Sequence, residues 1–310
     1  MNPYMVLILG VTASGKGQLA FRLAESAGAE IVSVDSMKVY RRMDIGTAKP
    51  PKEAHERIRH HLIDVVEPSE SFSVAAFLDL AYEAIKQIKG RNKPIIAVGG
   101  TALYIKALLY GLFEGPGADE KIRTKLQARA EAEGLSQLHQ ELAKVDPVAA
   151  GRIKSSDAKR IVRALEVYQL TGRPISSFQK QWDSANAKHE WMIIGLRRKK
   201  VEENKRINAR VKKMIAAGLI DEVKSLLAEE KPLSPQARSA IGYAEIISYL
   251  DGQIGLEDSI ELIKKNTRRF AKNQRTWFKT FRNVHWLDIK PDESAEKILR
   301  RSRALIADRR

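Results

Sequence analysis

Cysteine is absent from the 310 residues. That removes disulfides, zinc–thiolate centres and cysteine nucleophiles together, and it fits a reducing compartment. Acids are scarce: 38 Asp and Glu stand against 54 Lys and Arg, a formal charge of +16. A surplus that large points to a polyanionic partner, against the plainer reading of a well-solvated basic surface. No apolar run reaches membrane-spanning length, and the short one near the start leads straight into a glycine-bounded loop. Neither a signal peptide nor a membrane span is therefore expected, and the protein reads as cytoplasmic. No internal repeat and no low-complexity tract is visible. Apolar residues are plentiful: at 44% hydrophobic, the chain can build a real core in one large or two modest domains.

The chain is organised around Gly10-Val11-Thr12-Ala13-Ser14-Gly15-Lys16-Gly17. The apolar run Met5 to Leu9 before it reads as a buried strand, and Gln18 to Glu25 after it as a helix. Strand, glycine-bounded loop, lysine and helix make a phosphate-binding loop, in which backbone N–H groups and the helix N-terminus face an anion. Lys16 would add a point charge. The G-x-x-x-x-G-K spacing is complete, but Gly17 occupies the position where Ser or Thr normally ligates Mg²⁺.

Downstream, strands alternate with helices as an α/β fold with a mostly parallel sheet requires. Glu30 to Val34 is a strand whose carboxyl end presents Asp35, expected near the loop. Arg41 to Lys52 reads as loop and His61 to Asp64 as a short strand. Phe72 to Lys89 reads as a helix with Phe77, Leu80, Ala81, Ala84, Ile85 and Ile88 on its buried side. Pro94 to Val98 is a strand, and Gly99-Gly100-Thr101 turns the chain into the helix Ala102 to Leu109. From Asp119 to about Gln181 only helices are visible, one of them capped by Asp157 and ended at Thr171-Gly172-Arg173-Pro174. A strand follows at Trp191 to Leu196. Helices come next at Val201 to Ala217, Ile220 to Ala228, Ile241 to Leu250 and Leu256 to Phe281. A strand at Val284 to Leu287 and a helix at Ala295 to Ile306 close the chain.

Several residues could carry chemistry. A strand-end acid such as Asp35 either holds Mg²⁺ through water or takes a proton from a nucleophile. His60 and His61 are read as structural. No acid ends the strand Ile95 to Val98, which argues against an ordinary ATPase. Lys265, Arg268, Lys272, Arg275, Lys279 and Arg282 recur every three or four residues as a basic ridge suited to phosphates. Phe270, Trp277, Phe278 and Phe281 fall on another face and read as core rather than stacking platforms. Arg197 to Lys200, with Lys205, Arg206 and Arg210, makes a second basic cluster, and Lys159, Arg160 and Arg163 a smaller one. Nucleic acid is the better reading of these clusters.

Assembled, these segments resemble the tRNA dimethylallyltransferase family over nearly the whole chain. The resemblance rests on Gly10 to Lys16, Ser33 to Met37 with Val39-Tyr40, and Met43 to Pro50. It extends through His60 to Asp64, Gly99 to Thr101 with Leu103-Tyr104, and Arg160-Ile161. Arg163 to Tyr168, Thr171-Gly172, Ala240 to Tyr243 and Gln274 with Thr276 to Phe278 complete it. It implies a phosphate-loop NTPase-like parallel sheet core flanked by helices, residues 1–117 and 190–310, with an all-helical tRNA-binding insertion at 118–189. It implies transfer of a dimethylallyl group from its diphosphate to the exocyclic N6 amine of the adenosine 3′ of the anticodon, with that base extruded from its stack. Gly10, Val11, Thr12, Ala13, Ser14, Gly15, Lys16 and Gly17 would hold the diphosphate with Mg²⁺. Asp35, Lys16 and Thr101 would be catalytic, Asp35 as general base. Asp35, Ser36, Met37, Lys38, Thr101, Arg123, Lys159, Arg160, Ile161, Val162 and Arg163 would meet the tRNA anticodon stem-loop. A monomer with no membrane contact is expected. The chain departs from the family pattern at Gly17 (usually Thr), Lys38 and Lys159 (usually Gln), Asn273 (usually Arg), Ala102 (commonly Gly) and Ala244 (commonly Lys). Three other readings compete: a non-catalytic tRNA-binding relative, a phosphate-loop kinase, and an enzyme prenylating free adenine nucleotides.

Overall fold

Six strands form one sheet: β1 Met5–Gly10, β2 Glu30–Val34, β3 His60–His61, β4 Ile95–Gly99, β5 Trp191–Arg197 and β6 Val284–Asp288. The computed structural model describes residues 4–112, 115–178 and 190–308. The strand order is β3-β2-β4-β1-β5-β6, and every pairing is parallel. β1, β2 and β4 are buried almost throughout, as in a parallel sheet with helices on both faces. Gly99 pairs with both Leu9 and Val34, so β1, β2 and β4 finish level with one another. Their carboxyl ends, where open parallel sheets bind ligands, carry the glycine-rich loop, Asp35 and Thr101. Gly99 is required there, since a Cβ would lie 1.9 Å from the Val34 carbonyl oxygen.

The chain divides into two compact units, Met1–Leu109 with His189–Arg310, and Tyr110–Lys188. The first has two apolar cores. One joins Val6, Ile8 and Ile194 of the sheet to Leu19 and Leu23 of the helix Lys16–Ala27 and Leu299 of the helix Ala295–Ala307. The other packs Val39, Tyr40 and Met43 against Val211, Val223, Tyr243 and Ile263, which lie on four helices between Lys200 and Phe278. The second unit, as described, is helical. Its core is Leu126, Leu138, Leu142, Ile161 and Leu165, and Asp119, Asp146 and Asp157 cap its helices.

Some local expectations are corrected. The third strand ends at His61, because Leu62 and Asp64 take positive φ of 62° and 55° and break the extended run. Leu80 is 41% exposed, and Leu78 takes the buried position on the helix Val74–Gly90. The helix expected to start at Ile241 starts at Tyr243, and the long basic helix stops at Phe278. Phe270, expected in the core, is 41% exposed. The helical reading of 179–181 lies outside the described residues.

Candidate active site

The loop after β1 is held from behind by side chains from far down the chain. Arg206 Nε donates to the Ala13 carbonyl at 2.8 Å, and Arg198 Nε donates to the Ser14 carbonyl at 3.0 Å. Gln274 bridges two strand ends: its Oε1 accepts the Thr12 N–H at 2.8 Å, and its Nε2 donates to the Gly100 carbonyl at 2.8 Å. Gly15 has φ 99°, a left-handed turn that aims the start of the helix Lys16–Ala27 at the loop's concave side.

Two of the loop amides are spent inside the protein, Thr12 N–H on Gln274 and Ser14 N–H on the Val11 carbonyl. The N–H groups of Ala13, Gly15, Lys16 and Gly17 donate to no acceptor among the described residues. Unpaired amides followed by a helix N-terminus form an anion cradle. Ser14 is only 1% exposed, and its unpartnered Oγ lies beneath the loop against Gly10. Ser14 therefore differs from the expected diphosphate contact: neither its amide nor its hydroxyl is offered to the cavity. Gly17 is exposed, with open space where a Cβ would stand.

The loop opens on a cavity of about 830 Å³ lined by Lys16, Asp35, Lys38, Thr101, Arg206 and Arg210, with Val98, Ile241 and Phe270 among its apolar walls. Asp35 Oδ1 accepts the N–H groups of Met37 at 2.9 Å and Lys38 at 3.3 Å, which fixes the carboxylate's orientation. Thr101 Oγ1 accepts the Ser36 N–H at 3.0 Å and donates to Ser36 Oγ at 3.4 Å, so Thr101 and the Asp35 turn move as one piece. Lys16 Nζ has one weak bond, 3.3 Å to the Val11 carbonyl, and Arg210 has one of 3.5 Å to the Thr47 carbonyl. Burial, then repulsion by Arg210 and Lys38, pushes Lys16 down to about 7, with Asp35 pulling the other way. Burial likewise lowers Lys38 and Arg210. Cations so loosely bonded around one carboxylate suit a multiply charged anion.

The basic clusters divide on inspection. Arg197 pairs with Asp288 at 2.6 Å, while Arg198, Arg206 and Arg210 serve the loop and cavity. The second cluster thus divides: Arg198 and Arg206 brace the loop, Arg210 faces the cavity, and Lys199, Lys200 and Lys205 are exposed. Within the ridge, Arg275 pairs with buried Glu203 and Arg268 donates to Asn208 at 2.7 Å. Lys265, Lys272, Lys279 and Arg282 stay exposed. The two histidines have structural partners, His60 the Ile58 carbonyl and His61 the carboxylate of buried Glu30. In the helical unit, Lys159 and Arg160 are exposed, Arg123 and Arg163 both pair with buried Glu166, and Ile161 and Val162 are core. The side chains of Ile161 and Val162 are therefore unavailable for the expected tRNA contact.

Comparison with known proteins agrees with this architecture. The family model described as IPP transferase matches residues 38–281. A tRNA dimethylallyltransferase of Geobacter metallireducens is 47% identical, over 92% of this chain and 92% of its own length. One from Acetivibrio thermocellus is 42% identical, over 98% and 97%. The crystal structure of the tRNA isopentenylpyrophosphate transferase of Bacillus halodurans is 40% identical with a TM-score of 0.73, covering 98% of this chain and 96% of that one. A eukaryotic dimethylallyltransferase captured acting on tRNA is 28% identical with a TM-score of 0.81, covering 98% and 80%. The matching family model, the identities above 40% and the near-complete coverage lead to one assignment: this chain belongs to the tRNA dimethylallyltransferase family of prenyl-transferring enzymes.

Proposed function

We propose that this chain transfers a dimethylallyl group from dimethylallyl diphosphate to the exocyclic N6 amine of the adenosine 3′ of the anticodon in tRNA, releasing diphosphate. The observation that carries the reading is the gathering of Lys16, Arg210 and the unpaired loop amides around a single carboxylate at the strand ends. As the allylic C–O bond breaks, its electrons go to the departing diphosphate, and these donors stabilise the growing charge. The adenine nitrogen forms the new C–N bond and gives up a proton to Asp35, whose Oδ1 is held by two amides. Thr101, tied to Ser36, sits at the same strand ends and orients the acceptor.

Among the described residues no three His, Cys, Asp or Glu side chains gather closely enough to hold a metal on their own. Gly17 has no hydroxyl, and the Ser14 hydroxyl is turned away. The donor set fits Mg²⁺ only as a companion of the diphosphate, whose oxygens and water would hold it, with Asp35 facing it through water. Bound so, it would neutralise charge on the leaving group. For the tRNA, the exposed Lys159 and Arg160, and Lys265, Lys272 and Lys279, supply phosphate contacts whose number sets the salt dependence of binding. We place the protein in the cytoplasm as a monomer.

The test combines purified protein, labelled dimethylallyl diphosphate, and either tRNA or free adenine nucleotide. Label is expected in tRNA alone. Asp35→Asn is expected to bind tRNA normally and to slow single turnover by at least ~100-fold, the scale of a lost general base. Label in the free nucleotide would overturn the tRNA assignment, and a near-normal rate would remove Asp35 from the base role.

A further inference from the structure

Lys38 lies three residues beyond Asp35, at the tip of the turn leaving β2. Its backbone is fixed on both sides: its N–H donates to Asp35 Oδ1 at 3.3 Å, and its carbonyl accepts the Asp64 N–H at 3.2 Å. The side chain, half-buried, lines the same cavity as Lys16 and Arg210. Its ammonium makes no hydrogen bond or ion pair among the described residues. It lies near enough to Asp35 to be stabilised by it, and near enough to Arg210 and Lys49 to be repelled.

Neighbouring Lys49 shows what a lysine does here when its role is structural. Lys49 Nζ bonds the Tyr40 carbonyl at 2.5 Å, Asp44 at 2.6 Å and Asp64 at 2.5 Å, and its side chain is 4% exposed. Lys38, by contrast, has a fixed backbone and an ammonium that no described residue hydrogen-bonds. Packing it beside Lys16 and Arg210 sets three cations around one carboxylate, Asp35, which all of them share. A multiply charged anion in the cavity offsets the repulsion among all three cations at once.

We infer that the Lys38 ammonium binds the substrate's diphosphate directly, as a third cation beside Lys16 and Arg210, rather than contacting tRNA. This rests on the reading above that the loop holds a diphosphate. It gives Lys38 a place in a site where Gly17 supplies no metal-binding hydroxyl: a fixed side-chain charge shares the work of a divalent cation. Diphosphate binding should then persist when free metal is removed.

The experiment measures binding of inorganic diphosphate, and separately of an anticodon stem-loop, to the full chain by calorimetry, with EDTA and with Mg²⁺. Wild type is expected to bind diphosphate in EDTA. Lys38→Gln should weaken that binding by about tenfold or more, the scale of a lost charge-assisted contact. Added Mg²⁺ should recover part of the loss. Lys38→Arg should restore binding to within about threefold, and stem-loop affinity should hold in both variants. Unchanged diphosphate affinity in Lys38→Gln, or weakened stem-loop binding with diphosphate binding intact, would overturn the inference. Lys16→Met separates this failure from a wider one: if it too leaves diphosphate binding intact, the loop reading itself falls.

Discussion

Two regions of this molecule bury charge, and they treat it in opposite ways. In the helical unit, fully buried Glu166 is met by Arg163 at 2.7 Å, Arg123 at 3.0 Å and the Asp119 N–H at 2.7 Å. Burial works against that carboxylate, yet these partners outweigh it and lower its pKa. In the cavity, Lys16, Lys38 and Arg210 share one carboxylate and two long hydrogen bonds. A buried charge with all its partners holds structure, and one without them waits for a ligand. A charge-periodicity argument cannot tell these apart.

Lys16→Met should break the comparison hardest. It is expected to cost about 10³-fold in turnover, as for other lost donors to a developing anion, with thermal stability unchanged or raised. A clear loss of stability would mean that Lys16 holds the fold after all. Glu166→Gln should do the reverse. Two guanidinium groups lose their counter-charge, so the helical unit should lose roughly 3 kcal/mol. Hydrogen exchange over residues 118–178 would register this, while diphosphate affinity stays put.

The pH response sharpens the contrast. With Lys16 at about 7 in the folded chain and an ordinary value of 10.5, the unfolded chain holds more protons between those limits. Stability of the ligand-free protein should therefore rise with pH above 7, by up to roughly 1.4 kcal/mol per unit from this residue. Diphosphate affinity should fall over the same range, because binding needs the ammonium. Lys38, Arg210 and Asp35 face Lys16 across the cavity, and urea melts and calorimetry of wild type and Lys16→Met over pH 7 to 8.5 would isolate the contribution of Lys16. The smallest effect belongs to Gly17→Thr. Nothing lies within 4 Å of its Cβ position, so threonine fits without rearrangement. It should lower the Mg²⁺ needed for half-maximal rate by a few-fold, the gain expected from one added oxygen ligand. Superimposable Mg²⁺ titrations would show that residue 17 has no part in metal binding.

What could be read from sequence was local. The loop is legible because its spacing and flanking strand and helix lie within about twenty residues, and Asp35 because strand ends in parallel sheets face ligands. Gln274, Arg198 and Arg206 were not legible as loop braces. They act across separations of 184 to 262 residues, and neither the period of a helix, for Arg206 and Gln274, nor a position just past a strand, for Arg198, says which distant carbonyl or amide a side chain will meet. Phe270 shows the same limit from the apolar side: its spacing suits a core, yet it lines the cavity. Ile161 and Val162 fell inside a basic stretch, and position in a motif says nothing about where a side chain is buried.

Gly99 limits how this site can change over time. At Gly46 and Gly100, which also line the cavity, an added Cβ would meet the side chains of Tyr243 and Gln274, which can shift. Gly99 offers no such path, because even a methyl group would drive into the Val34 carbonyl. The strand leading to Asp35 would have to part from the strand leading to Thr101, and the two side chains would drift apart. The spacing between those two residues is thus a fixed length, set by the smallest residue in the site.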